Sequence, residues 1–173
     1  MKKKVIIIDT NVMCVWLQMP GKETAGKDNS ITYESVKTYI EEETRKGATL
    51  VLPLTSIIET GNFVAQIEQN RNAIGSKLAD MVIAAATGTA PWVAFSQQGD
   101  LWTNEALVNL ANRWRETVVT EKQSIGDAAI VDVAEYYAKS HLFEVVIYTG
   151  DGGLKNHEFR IAGQIQKTLR RNR

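Results

Sequence analysis

The chain has 173 residues, a length that fits one domain with a sizeable core. With 44% apolar residues, 23% charged residues and zero formal net charge, it matches a globular protein rather than a disordered one. That balance supplies no bulk electrostatic drive toward nucleic acid or membrane. Cys14 is the single cysteine, which excludes an internal disulfide framework and a Cys-based zinc site and points to a reducing cytoplasm.

Lys2-Lys3-Lys4 leads into an apolar run that stops at Asp9, short of the roughly 7–15 residues of a signal-peptide core. No stretch approaches the ~18 consecutive apolar residues of a membrane span, so no membrane association is expected. Residues 4–8 read as a short buried strand, β-branched after Lys4 and bounded by Asp9. Residues 17–29, rich in Gly, Lys, Asp and Asn, read as a long exposed loop. Asp28, Asn29 and Ser30 offer N-caps for a helix near 31–46, which Gly47 ends at the favoured position just past it. Residues 49–52 form a second strand stopped by Pro53, and Thr55 can cap a helix running to about residue 69.

A further helix spans about 72–87 and ends at Gly88, residues 92–95 form a short strand, and residues 101–117 form a helix. Ser124 opens a helix over 125–140, where Ala128, Val131, Ala134 and Ala138 recur at helical spacing. Residues 144–149 are the last strand. Strands alternating with helices predict an α/β fold, a three-layer sandwich of helices around a mostly parallel sheet. With no repeat, low-complexity tract or linker, residues 1–173 read as a single domain.

Four carboxylates lie at ends of these segments: Asp9 and Asp151 after strands, Glu59 and Asp127 near helix starts. In an open parallel sheet those ends share one edge, where ligands bind. Each acid also has a structural role to weigh. Asp9 can form an Asx-turn or cap, with Asn11 fixing its carboxylate or adding a neutral oxygen. Glu59 can complement a helix dipole, worth about 0.3–1 kcal/mol. Asp127 can close a capping box with Ser124, and Gly126 beside it permits a close approach. Asp151 stands in a glycine-rich turn after Thr149, whose hydroxyl can hold a water or a phosphate oxygen.

Asp132 is rotated well away from Asp127 on the same helix and is left out of the site. Together the four acids fit hard divalent cations such as Mg²⁺, which take oxygen ligands from carboxylates and substrate phosphates. Phosphodiester cleavage suits such an arrangement best. No G-x-x-x-x-G-K-[ST] phosphate loop is present.

The ordered set Ile7-Ile8-Asp9-Thr10-Asn11, Thr55-Ser56-Ile57-Ile58-Glu59, Asp127-Ala128-Ala129-Ile130 and Tyr148-Thr149-Gly150-Asp151 resembles the PIN-domain family of metal-dependent ribonucleases. That family includes the toxins of bacterial toxin–antitoxin pairs. The resemblance spans roughly residues 4–155. It implies an acidic groove binding Mg²⁺ or Mn²⁺, with Asp9, Glu59, Asp127 and Asp151 at the family's acidic positions. Thr149 takes its hydroxyl position, and Asn11 a polar position beside the first acid. The metal is expected to be held chiefly by Asp9, Asp127 and Asp151, with Glu59 behind them or a ligand through water. An RNA substrate follows from the resemblance, as do an antitoxin or other protein partner and a homo-oligomer. The loop 12–29 and the segment 88–123, which holds Trp92, Trp102 and Trp114, look longer than in a minimal toxin.

Asp9-x-Asn11 and Gly150-Asp151 also resemble haloacid-dehalogenase-type phosphatases. There, Asn11 would stand in place of a general-acid Asp, and Glu59 and Asp127 would have no role. A catalytically inactive PIN-like binding module is the third reading. RNA affinity would have to be local, through Lys2–Lys4, Arg113, Arg115 or the C-terminal Lys167, Arg170 and Arg171. That last cluster also suits a solvated helix end. The tryptophans read as packing residues, and His141 and His157 as surface residues without a catalytic part.

Overall fold

The computed structural model describes residues 2–93 and 95–157. β1 (Lys3–Ile8) runs into α1 (Thr10–Trp16). There follow β2 (Thr24–Ala25), β3 (Ile31–Thr32), α2 (Tyr33–Arg45), β4 (Thr49–Val51), α3 (Leu54–Gln66) and α4 (Arg71–Thr87). A 3₁₀ segment (Phe95–Trp102), α5 (Asn104–Thr120), α6 (Ile125–Lys139) and β5 (Phe143–Tyr148) come next. Residues 152–157 are again helical.

The sheet is parallel, in the order β4-β1-β5, with Ile7 opposite both Val51 and Ile147. β1 is central and covered on both faces, and Val5 through Ile8 are each no more than 1% exposed. The period of two along a strand divides them between two cores. Ile6 and Ile8 pack with Val12 and Met13 of α1, Val36 and Ile40 of α2, Val64 of α3 and Ile74 and Leu78 of α4. Val5 and Ile7 pack with Val51, Ile147 and the α6 residues Ile130, Val133, Ala134 and Tyr137. The result is the expected three-layer α/β/α arrangement around a parallel sheet. Each such buried side chain contributes roughly 1.5–3 kcal/mol, so β1 is the element on which the other layers close. No helix among the described residues is long and apolar enough to cross a membrane.

Several boundaries differ from those expected. No helix is expected immediately after Asp9, yet α1 starts there, capped by the Asp9 side chain. Thr10, Val12 and Val15 are poor helix formers. Burial of Val12, Met13, Cys14 and Val15 overrides that local preference. So the segment 12–29 is a loop only beyond Trp16, and even there β2 and β3 form a small antiparallel ladder. That ladder keeps residues 31–32 extended, which moves the α2 cap from residues 28–30 to Thr32. α3 begins after Pro53 rather than Thr55 and ends at Gln66.

The strand expected over 92–95 shrinks to one bridge between Trp92 and Leu50. Val93 N still donates to Leu50 O at 2.9 Å, but the chain turns into the 3₁₀ segment from Phe95. α5 starts later than expected because Thr103 caps it, accepting from Ala106 N at 3.2 Å. Trp92 stacks on Trp16 with ring centroids 6.0 Å apart, and Trp114 Nε1 donates to Gln123 O at 2.9 Å. Both rings are thus engaged in packing within the fold.

Candidate active site

Asp9 is the first residue past β1. Its Oδ1 accepts from Thr10 N at 2.6 Å. Its Oδ2 accepts from Asn11 Nδ2 and from Thr149 Oγ1, both at 2.6 Å. Asn11 Oδ1 accepts from Gly150 N at 2.9 Å, and Thr149 Oγ1 accepts from Asp151 N at 2.9 Å. Side chains thus lace the carboxyl ends of β1 and β5 together, although Asp9 and Thr149 are 140 residues apart. Burial pushes the Asp9 carboxyl up to about 6. The bonds from Thr149 and Thr10 pull it down, while the negative charges of Asp127 and Glu59 push it up.

Glu59 reaches this edge from α3. Ser56, one turn earlier and fully buried, donates to Ile8 O at 3.0 Å and ties α3 to the end of β1. Thr10 Oγ1 donates to Glu59 Oε2 at 2.7 Å. The other carboxylate oxygen lies against Gly126 of α6, where any Cβ would collide with it. Glu59 therefore touches α1 and α6 from its place on α3.

Asp127 closes a capping box. Its N–H donates to Ser124 Oγ at 3.0 Å, and its Oδ2 accepts from Ser124 N at 3.3 Å. Asp151 Oδ1 accepts from Gly153 N at 2.6 Å and from Leu154 N at 3.2 Å, capping the helical residues that begin at Gly152. Gly150 lacks a Cβ for a steric reason: one would lie 2.5 Å from Gly26 N. The loop after β2 thereby forms a wall.

Asp9 and Asp127 take the capping roles their local sequence suggests. Glu59 lies past the first turn of α3 and does not complement its dipole. All four acids line one cleft of about 390 Å³. Thr10 and Asn11 share this cleft, and Thr24, Ala25 and Gly26 form its wall. Asp132 instead pairs with Arg113 of α5. His141 stands exposed in the turn after α6. His157 is partly buried rather than fully exposed. It borders a smaller recess shared with Asp127 and Asp151, with its Nε2 3.2 Å from Glu121 Oε2. Lys167, Arg170 and Arg171 lie outside the described residues.

The donors in the cleft are chiefly carboxylate and hydroxyl oxygens, the hard ligands that Mg²⁺ and Mn²⁺ take. Among the described residues, Glu59 Oε1, Asp127 Oδ1 and Asp151 Oδ2 accept no hydrogen bond and remain open to a cation or its water. No three His, Cys, Asp or Glu side chains among the described residues are gathered closely enough to enclose an ion as they stand. A hydrated Mg²⁺ needs no such cage, since it keeps several waters and takes one or two carboxylates. The donor set fits such an ion.

Sequence reasoning did not single out Thr10, Lys22 or Phe63 as part of this cleft. Thr10 has only its place between Asp9 and Asn11 as a local signal. Lys22 and Phe63 have none, because a loop and a helix over 40 residues away in the chain bring them together. Compared with protein-family models, with curated proteins and with solved structures, the chain has no match.

Proposed function

We propose that this protein is a metal-dependent endoribonuclease that hydrolyses RNA phosphodiester bonds at a PIN-like site, in the setting of a toxin–antitoxin pair. The carrying observation is that four carboxylates from separate parts of the chain line one cleft at the carboxyl edge of a parallel sheet. Burial raises the Asp9 pKa, the charges of Asp127 and Glu59 add to that rise, and a bound cation relieves the repulsion.

Mg²⁺ or Mn²⁺ would be held by Asp9, Asp127 and Asp151, with Glu59 reached through water, and would supply an activated water and charge neutralisation at the phosphate. The chain's own part is to hold these oxygens in place. Thr149 and Asn11 fix the Asp9 carboxylate, and Asn11 also holds the Gly150 amide. Thr10 and Gly126 confine Glu59. Asp127 Oδ1 and Glu59 Oε1 are available to accept a hydrogen bond from the attacking water.

The phosphatase alternative is disfavoured by Asn11, whose amide donates to Asp9 and carries no acidic proton. It also leaves Glu59 and Asp127 in the cleft with no function. The inactive-module reading requires a decayed site, whereas the four acids all line this cleft and the Thr149 hydroxyl bonds Asp9.

The test is cleavage of labelled RNA with Mg²⁺ or Mn²⁺, with and without EDTA, for wild type, Asp9→Asn and Asp151→Asn. Loss of cleavage in EDTA and in both variants is expected. Cleavage that persists in EDTA sinks the proposal, as does hydrolysis of small phosphate monoesters without any RNA cleavage.

A further inference from the structure

Among the described residues, one cation lines the acid cleft. Lys22 lines the same cavity as Asp9, Glu59, Asp127 and Asp151, and among the described residues the lining includes no other Lys or Arg. Four carboxylates offer it partners, yet Lys22 makes no ion pair among the described residues. Its ammonium sits instead over the Phe63 ring of α3, 3.7 Å from the centroid. An aromatic face attracts a cation without neutralising it, so the full charge is kept for an incoming anion.

The backbone at Lys22 is anchored. Its N–H donates to Met19 O at 3.0 Å, and the Met19 side chain is fully buried in the core. The charge is felt inside the site. Burial pushes the Cys14 thiol up to about 11, Lys22 pulls it down, and Asp9 and Glu59 push it up. One point in the cleft floor thus senses the ammonium and two of the acids together.

We infer that Lys22, held by the Phe63 ring, is a substrate-binding residue that contacts a backbone phosphate of the RNA strand in the acid cleft, and that Phe63 is its positioning residue. This rests on the nuclease reading above and adds how an acidic site attracts a polyanion. Lysine binds phosphate as a point charge on a flexible stem, which suits a backbone contact independent of base sequence. In a chain without net charge, such a local cation offsets the repulsion between carboxylates and phosphates.

The test measures binding of a fluorescein-labelled single-stranded oligoribonucleotide by anisotropy, in Ca²⁺, across a series of salt concentrations. The proteins compared are wild type, Lys22→Met, Lys22→Arg, Phe63→Leu and the Lys22→Met/Phe63→Leu double variant. Removing one phosphate contact lowers the slope of log affinity against log salt by about 0.7 for a single strand. Lys22→Met is expected to show that loss and a several-fold weaker affinity, and Lys22→Arg to keep the wild-type slope. Phe63→Leu is expected to weaken binding, with Lys22→Met then adding less than it does alone.

A wild-type slope in Lys22→Met overturns the assignment of Lys22. It leaves the nuclease reading standing if both proteins still cleave RNA. Fully additive effects of the two substitutions overturn the positioning role of Phe63. A folded wild type that neither binds nor cleaves RNA overturns the inference and the nuclease reading together.

Discussion

Thr149 Oγ1 donates to Asp9 Oδ2 at 2.6 Å and accepts from Asp151 N at 2.9 Å. One buried hydroxyl therefore fixes the carboxylate of the first acid and the backbone of the last. It does so between neighbouring parallel strands whose sequences lie at opposite ends of the domain. The bond also opposes the desolvation of Asp9, favouring the ionised form that a cation would require.

Thr149→Val keeps the shape of this side chain and deletes both bonds. Leaving the Asp151 amide and the Asp9 oxygen without that partner is expected to destabilise the fold by about 1–3 kcal/mol. RNA cleavage is expected to fall as well, because Asp9 and Asp151 lose their common tether. Thr149→Ser should retain both properties. Urea unfolding and initial cleavage rates read the two effects. Equal activity in the Val and Ser variants would show that the hydroxyl has no part in the site.

Asp9 makes stability depend on pH in a stated direction. Its carboxyl titrates near 3.8 when unfolded and at about 6 when folded, so the folded state holds the proton more tightly. The Asp9 contribution to stability is then fully present below about pH 4, declines as pH rises through 6, and is absent beyond. A shift of this size corresponds to about 3 kcal/mol. Asp9→Asn does not ionise. In EDTA, its stability relative to wild type should improve by roughly 2–3 kcal/mol between pH 4 and pH 7. Adding Mn²⁺ at pH 7 should narrow the gap by binding wild type. A gap that ignores both pH and Mn²⁺ would remove the electrostatic argument for a cation.

The parts of this fold legible in the sequence are those with local signals. The β-branched run of β1, the Ser124 cap of α6 and the glycines that end α2 and α4, with φ of +90° at Gly47 and +65° at Gly88, each act over a few residues. α1 was illegible because its helical state comes from burying its side chains in the core, against their own preference. The four acids were legible as a set, since strand and helix ends of a parallel sheet meet at one edge. Their supports were not. Nothing near Thr10 in the sequence indicates Glu59, and nothing near Lys22 indicates Phe63. Gly126 could be read as a place of close approach, but only the packing of α3 on α6 shows that the approaching group is the Glu59 carboxylate.

That contact gives a substitution whose sign depends on its neighbour. Alanine in a helix is ordinarily more stable than glycine by about 1 kcal/mol. At Gly126 the new Cβ would meet Glu59 Oε1, so the Glu59 carboxylate must shift from the position in which it accepts from Thr10. Gly126→Ala in wild type is therefore expected to bring no stabilisation and to reduce RNA cleavage. In a Glu59→Ala background the space is open, and the same change should stabilise by up to about 1 kcal/mol. Thermal or urea unfolding of the four proteins closes the cycle. Stabilisation of equal size in both backgrounds would mean that Glu59 does not occupy this position.

Asp127 and Asp132 share α6 and invite a direct comparison. Asp132 pairs with Arg113 and joins α5 to α6; burial pushes its carboxyl up, and the guanidinium opposes that shift. Asp127 caps its helix and lines the cleft. Asn at either position keeps an oxygen that can accept the existing hydrogen bond and deletes the charge. Asp132→Asn is then expected to alter stability by no more than about 1 kcal/mol, as for a partly exposed pair, and to leave cleavage at the wild-type rate. Asp127→Asn should likewise keep its cap, yet lower metal-dependent cleavage by roughly 10²-fold or more through loss of a charged cation ligand. Rates at saturating Mg²⁺ with melting temperatures measured alongside separate the two. Inactivity of Asp132→Asn beside full activity of Asp127→Asn would move the reactive centre away from the cleft.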